Sequence, residues 1–175
     1  MGALISALLY SIIFFLNDLV TEAVKYDLGV SWIYLPAGLR LLLILIFGLA
    51  GAIGIAVASF AISYFGVFPT DLVTCIGIGL ISGFAPLLAK WLIVSGTPIN
   101  NDLSNLSIQK LILCIIVYAL MSSGLHQYWF ELRDLESGSL DHFLVMFVGD
   151  IAGSILLIAI IKYSIDLLKR KPKHD

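Results

Sequence analysis

The amino-acid sequence predicts an all-α fold: a polytopic integral membrane helical bundle of about six helices, one of them short or re-entrant. Three observations lead there. Hydrophobic residues make up 60% of the chain and charged residues only 13%, whereas soluble domains are near half apolar and a quarter charged. Mean hydropathy is +1.04. Apolar runs recur along the whole length, separated by short polar stretches. The 175 residues therefore read as a single integral membrane domain, 1–175, with the bilayer as solvent and a short basic tail from about residue 162.

The first run, about Ala3 to Val20, lacks a basic stretch ahead of it and a small-residue cleavage site behind it, so it is expected to be a retained helix. From Gly38 to Phe65 the one charge is Arg40, and Gly48, Gly51 and Gly54 fall in the middle. Glycine is costly inside a helix and supplies tight turns. Two segments, Pro36 to Phe47 and Ala50 to Phe65, joined at Gly48 to Gly51, are preferred to one long tilted helix. A twelve-residue helix covers only about 18 Å, so the first of the pair is a partial span, tolerated if protein or a water-filled cavity surrounds it. The fourth segment is Thr70 to Val94 and contains Pro86, which should kink it. The fifth is Ser107 to Ser123 and the sixth Asp141 to Leu168. Capping side chains are expected at Pro69-Thr70-Asp71, Ser107 and Ser139-Leu140-Asp141. Ser95 to Asn105 reads as a polar loop.

Orientation follows from lysine and arginine. Lys162, Lys169, Arg170, Lys171 and Lys173 place the C-terminus in the cytoplasm, and six crossings place the N-terminus there too. The expected location is the inner membrane of a bacterium. Trp32, Tyr34, Tyr128, Trp129 and Phe130 fall where an outer aromatic belt would lie, and Trp91 near the inner face. Gly79-x-x-x-Gly83 and Gly149-x-x-x-Gly153 each put two small residues on one helix face, where backbones can approach closely. The plainer reading is packing within the chain; a dimer face is the other. Cys75 and Cys114 lie in apolar runs and read as packing residues.

A carboxylate, Asp150, sits inside the sixth segment between Gly149 and Gly153. A charge there costs roughly 3 kcal/mol on insertion scales. Arg40, Asp150, Asn17, Asp18, His126, Gln127, Trp129 and Arg133 all map to the outer half. Arg40 and Asp150 are expected to meet, each offsetting part of the other's desolvation. Three uses compete: a structural pair, an outward-facing ligand pocket floored by Arg40 and Asp150 with His126 and Trp129 at its rim, and an ion path. The inner half offers no polar stepping stones, which argues against a path. Asn17 and Asp18 border the pocket or simply end the first helix. His126 with Asp141 or His142 lacks diagnostic metal spacing, so no metal or cofactor is expected. No catalytic motif is present: HExxH, GxSxG and phosphate-loop patterns are absent. With a net charge of −2 and no basic stripe, nucleic acid is not an expected partner.

Three stretches resemble a known family. WIYLPAGLRLLLILIFG, Trp32 to Gly48, resembles the opening of the first membrane-associated sensor (MASE) family of bacteria. FVGDIAGSILL, Phe147 to Leu157, resembles the GD-x-x-G motif near that family's C-terminal helices, and GIGLISGFAPLLAKWLI, Gly77 to Ile93, is similar to the stretch between. The resemblance implies a membrane sensory domain that detects a signal and usually precedes a cytoplasmic kinase or cyclic-di-GMP enzyme. Pro36, Gly38, Gly149 and Asp150 are the positions it covers; Arg40 rests on the residues alone. The chain is shorter than that family and carries no output domain, so a separate membrane or cytoplasmic protein is the expected partner. Six short helices and the glycine break at LIFG also resemble the substrate-binding subunits of energy-coupling-factor transporters, which implies a small-molecule ligand near the outer face. The expected function is a non-enzymatic sensory or ligand-binding module. A solute-binding transporter subunit and a structural or assembly subunit are the alternatives.

Overall fold

The computed structural model describes residues 1–27, 30–67, 71–94, 103, 106–135 and 139–169. Six α-helices dominate: α1 (Gly2–Val20), α2 (Leu35–Phe47), α3 (Leu49–Ile62), α4 (Leu72–Val94), α5 (Ile108–Leu132) and α6 (Leu140–Lys169). Five helical segments are long and apolar enough to cross a membrane; α2 is shorter. A π-helical turn, Ser63–Val67, extends α3. The expected caps at Pro69 and Thr70, the loop around Ser95 to Asn105 apart from Leu103, and the tail beyond Lys169 lie outside the described residues.

The expected division at the glycines is present. Gly48 ends α2 and starts α3 with φ +56° and ψ −128°, a backbone conformation open essentially only to glycine. Gly51 then lies close against Leu43, where an added Cβ would come within 2.8 Å of the Leu43 carbonyl oxygen. α2 and α3 thus form a tight antiparallel hairpin rather than one long helix.

α2 is the centre of the bundle. α1, α3, α4, α5 and α6 form a curved wall in which α1 packs on α3, α3 on α4, α4 on α5 and α5 on α6, and α2 touches all five. Its thirteen residues cover about 20 Å, against about 30 Å of hydrocarbon. A helix end at that depth leaves carbonyls without partners. Here Lys90 of α4 donates to the carbonyls of Ile44 and Leu45 at 3.0 and 3.1 Å. At the other end Asn17 Oδ1 accepts the Leu35 N–H at 2.9 Å. The short span is tolerated because protein surrounds both of its ends.

The small-residue faces are used within the chain. An added Cβ at Gly79 or Gly83 would meet the carbonyl oxygens of Ala56 and Ala52 at 2.7 and 2.4 Å, so α4 lies on α3 at backbone contact. At Gly149 and Gly153 it would meet those of Ser31 and Tyr34, each at 2.0 Å, and at Gly38 it would meet Ser154 Cα at 2.8 Å. These contacts clamp α6 alongside the start of α2, where buried Pro36 fills the first turn.

These contacts also fix direction. Successive helices alternate, so Met1, Ser107 and Lys169 share one end of the bundle. The other end carries an unexpected two-stranded antiparallel hairpin, β1 (Lys25–Asp27) and β2 (Val30–Ser31), between α1 and α2. It is too short and irregular for alternation to have marked it. Asp71 accepts the Thr74 N–H at 2.9 Å, Ser139 accepts that of His142 at 3.3 Å and Ser107 that of Lys110 at 3.3 Å, which bears out three of the expected caps. Pro86 lies within α4 without ending it. α5 runs nine residues further than expected, to Leu132 rather than Ser123, so His126, Gln127 and Trp129 are helical residues and not part of a following loop. The polar HQ step lowered the apparent hydropathy, but those side chains are buried among helices rather than placed at an interface.

Candidate functional site

Apart from Ser6 near the start of α1, the buried polar residues gather toward the β-hairpin end of the bundle. α2 delivers Arg40, only 3% exposed, to the centre. Its Nη2 donates to Tyr10 Oη of α1 at 2.6 Å and to Tyr34 Oη at 3.0 Å. The guanidinium also lies 5.0 and 5.2 Å from the centroids of the two rings, within cation–π range. Two phenols and two ring faces thus hold a cation that would otherwise be isolated in a low-dielectric core. Its Nε and Nη1 have no hydrogen-bond partner.

The expected ion pair between Arg40 and Asp150 is not formed. Asp150 is fully buried, and both of its carboxyl oxygens lack a partner. Arg40 Nη2 is committed to Tyr10 and Tyr34, and Asp150 is left without an ion-pair or hydrogen-bond partner. The Tyr118 hydroxyl and the Ser122 and Ser154 hydroxyls are likewise buried without partners. Ion pairs among the described residues lie at the hairpin end instead, where Lys25 meets Asp18, Arg133 meets Asp71 and His142 meets Asp27.

Arg40 lines a cavity of about 60 Å³, several times the ~10–15 Å³ that one water requires. Its other polar walls are Tyr10, Tyr34, Ser59, Ser63, Ser82 and His126, and its apolar walls include Phe14, Ile62, Ile78, Phe130 and Met146. Each polar wall residue carries an N–H or O–H, and no carboxylate is among them. Helical spacing explains the α5 contribution: Tyr118, Ser122, His126 and Phe130 recur every four residues and share one buried stripe. His126 Nδ1 lies 2.8 Å from the Ser122 carbonyl oxygen, so it carries the ring hydrogen. Nε2 is then left to accept from Ser82 at 3.4 Å, while Ser59 donates to Ser82 at 2.9 Å.

A second, larger cavity of about 340 Å³ lies toward the hairpin, lined by Asn17, Asp18, Thr21, Lys25, Asp27, Ser31 and others. Phe14 and Tyr34 line both spaces and form the partition between them.

Of the expected site residues, the structure brings Arg40 and His126 to the inner cavity and Asn17 and Asp18 to the outer one. Asp150 lines neither cavity. Trp129 is not at the rim: its ring lies over Gly77, where an added Cβ would come within 2.2 Å of it, and its Nε1 donates to the Thr74 carbonyl at 3.1 Å. Gly77, with no side chain, leaves the space that the indole occupies. Tyr34 and Phe130, expected in the aromatic belt, are cavity walls, whereas Trp32, Tyr128 and Trp91 are exposed as a belt requires. Tyr10, Ser59, Ser82 and Tyr118 were not anticipated. The four-residue spacing from Tyr118 to Phe130 was the available signal for α5, and Ser6, Tyr10 and Asn17 share the buried face of α1 at helical spacing.

No family model, no curated protein and no solved structure matches the chain.

Proposed function

We propose that the protein is a non-enzymatic membrane module that takes a small ligand at the β-hairpin end and passes its occupancy to a separate protein, as a stand-alone sensory domain would. The observation that supports this most is the inner cavity, whose wall holds a buried cation, Arg40, with hydroxyl- and N–H-bearing side chains around it and no carboxylate. A buried cation held by neutral phenols leaves an uncompensated positive charge that an anion can offset. In this reading the hairpin end faces outward and the basic end of α6 faces the cytoplasm of a bacterial cell, in line with the distribution of lysine and arginine. The resemblance of Trp32–Gly48 and Phe147–Leu157 to the membrane-associated sensors favours signalling as the output.

A solute-binding subunit of an energy-coupled transporter is the second reading. It is favoured by the two successive spaces that share Phe14 and Tyr34, the arrangement expected of an outer vestibule above a closed site. An assembly subunit is the third.

Purification of the protein with its surrounding native lipid, followed by mass spectrometry, separates them. A stoichiometric kinase or nucleotide cyclase in the preparation supports the sensor. An ATPase pair with a coupling subunit moves the protein to the transporter class. A preparation that carries neither a small molecule nor a partner, from wild type and Arg40→Gln alike, leaves the assembly reading standing and overturns the other two.

A further inference from the structure

A third space flanks the inner cavity. It is a lateral groove of about 500 Å³ between α1 and the end of α3, lined by Phe14, Phe15, Asp18, Ala61, Ile62, Phe65 and Gly66. Its walls are apolar except for Asp18, which Lys25 neutralises. Phe15 is 61% exposed and Phe65 81% exposed, so in a bilayer the groove opens to acyl chains rather than to water. Phe14 and Ile62 line the groove and the inner cavity alike. The π-helical turn places Ser63 on the cavity while Phe65 and Gly66 line the groove, so one short segment borders both. The cavity offers hydrogen-bond donors and a cation at Arg40, and apolar surface everywhere else.

We infer that the site takes an amphipathic monoanion from the membrane: a carboxylate at Arg40 and the inner cavity, and an alkyl chain that runs past Phe14 and Ile62 into the groove between α1 and α3. This deepens the ligand-binding reading above and rests on it. Charge complementarity selects the head. The Arg40 guanidinium puts a positive charge on the cavity wall that a carboxylate would neutralise, and the Tyr10 and Tyr34 hydroxyls, whose oxygens accept from Arg40 Nη2, carry hydrogens for the carboxylate's lone pairs. The groove selects the tail, because a water-soluble anion has no use for it. The head enters once Phe14, half-buried and without a polar partner, turns aside.

The test uses the full chain in lipid nanodiscs and four probes: octanoate, octanol, octylammonium and acetate. Binding is read as saturable thermal stabilisation. Octanoate should bind at least tenfold more tightly than each of the others, and Arg40→Gln should lose that preference. If Arg40→Gln does not fold, a second measurement stands without it: an octanoate analogue with a diazirine on its chain, photolysed on wild type, should label Phe14, Ile62, Phe65 or Met146. Equal binding of octanol and octanoate with the same labelled residues would overturn the anionic head and leave the pocket intact. Binding of acetate as tight as that of octanoate would overturn the membrane source and leave the anion site intact. Labels confined to the outer surfaces of α1 and α6 would overturn the inference, while the co-purification experiment above still decides whether the protein has a ligand or partner of another kind.

Discussion

At the scale of single residues, the placement of one cation decides the chemistry. Arg40 Nη2 is held by two phenols, not by the carboxylate expected to meet it. A charged hydrogen bond of this kind is worth about 1.5–3 kcal/mol, and truncation of one partner leaves the other exposed to a poor environment. Tyr10→Phe should therefore destabilise the protein by roughly that amount, measured by unfolding in mixed micelles. Double-mutant cycles sharpen the point. The cycle of Arg40→Met with Tyr10→Phe should show coupling of about 1 kcal/mol or more, whereas that of Arg40→Met with Asp150→Asn should show less, because coupling is strongest between residues in contact. A large Arg40–Asp150 coupling would restore the direct pair. The same residues show where sequence reasoning stopped. Arg40, Asp150, His126, Asn17 and Asp18 could be singled out because polar residues are rare and costly in apolar segments. Which groups they meet could not, because that depends on how each helix is rotated against its neighbours.

At the scale of elements, the short helix α2 depends on what covers its ends. Lys90 holds the Ile44 and Leu45 carbonyls, a pairing between residues far apart in sequence. Lys90→Met should cost about 1–3 kcal/mol by leaving those acceptors unpaired, and Lys90→Arg should keep most of the stability; equal losses in both variants would show that the ammonium does not cap the helix. A second clasp joins the start of α4 to the end of α5. Asp71 accepts from the Thr74 hydroxyl and N–H and from Arg133 Nη2, which lies 2.7 Å away. Hydrogen bonds from Thr74 and then Arg133 hold the Asp71 carboxyl down at about 2, below the ordinary value of about 4. A depressed folded-state value means stability that is fully present above pH ~4 and lost as the pH falls through ~2. Thermal stability should drop across that window, and Asp71→Asn should flatten that part of the profile. Because the clasp is solvent-exposed, the effect should also shrink in high salt.

At the scale of the whole molecule, the count of crossings sets the topology. With α2 and α3 as separate, antiparallel elements, both termini leave the same end of the bundle. Protease-sensitive tags fused to the two ends should be digested from the same side of sealed vesicles, and Ser139→Cys should react with an impermeant maleimide from the opposite side. Digestion of the two tags from opposite sides would mean that 35–67 crosses as one helix. The wall formed by α1, α3, α4, α5 and α6 around α2 also explains why small residues are spent inside the chain. Between helices in lipid there is little hydrophobic drive, so backbone proximity and hydrogen bonds hold the bundle together, and Gly79, Gly83, Gly149 and Gly153 all serve that purpose here.

The sequence by itself determined the class of fold, the number of helical segments, the break at Gly48 and the half of the bundle in which polar residues collect. Each of these follows from local quantities: hydropathy over a window, glycine's backbone freedom, and distance along a helix from a capped end. The structure alone decided which polar groups meet. It turned Arg40 onto Tyr10 and Tyr34, drew Trp129 over Gly77, extended α5 so that His126 faces Ser82, and set Lys90 against the end of α2. Those pairings join residues that are distant in the chain, and they depend on the rotation of each helix about its axis. That rotation is fixed by side-chain packing between neighbours, and no single segment records it.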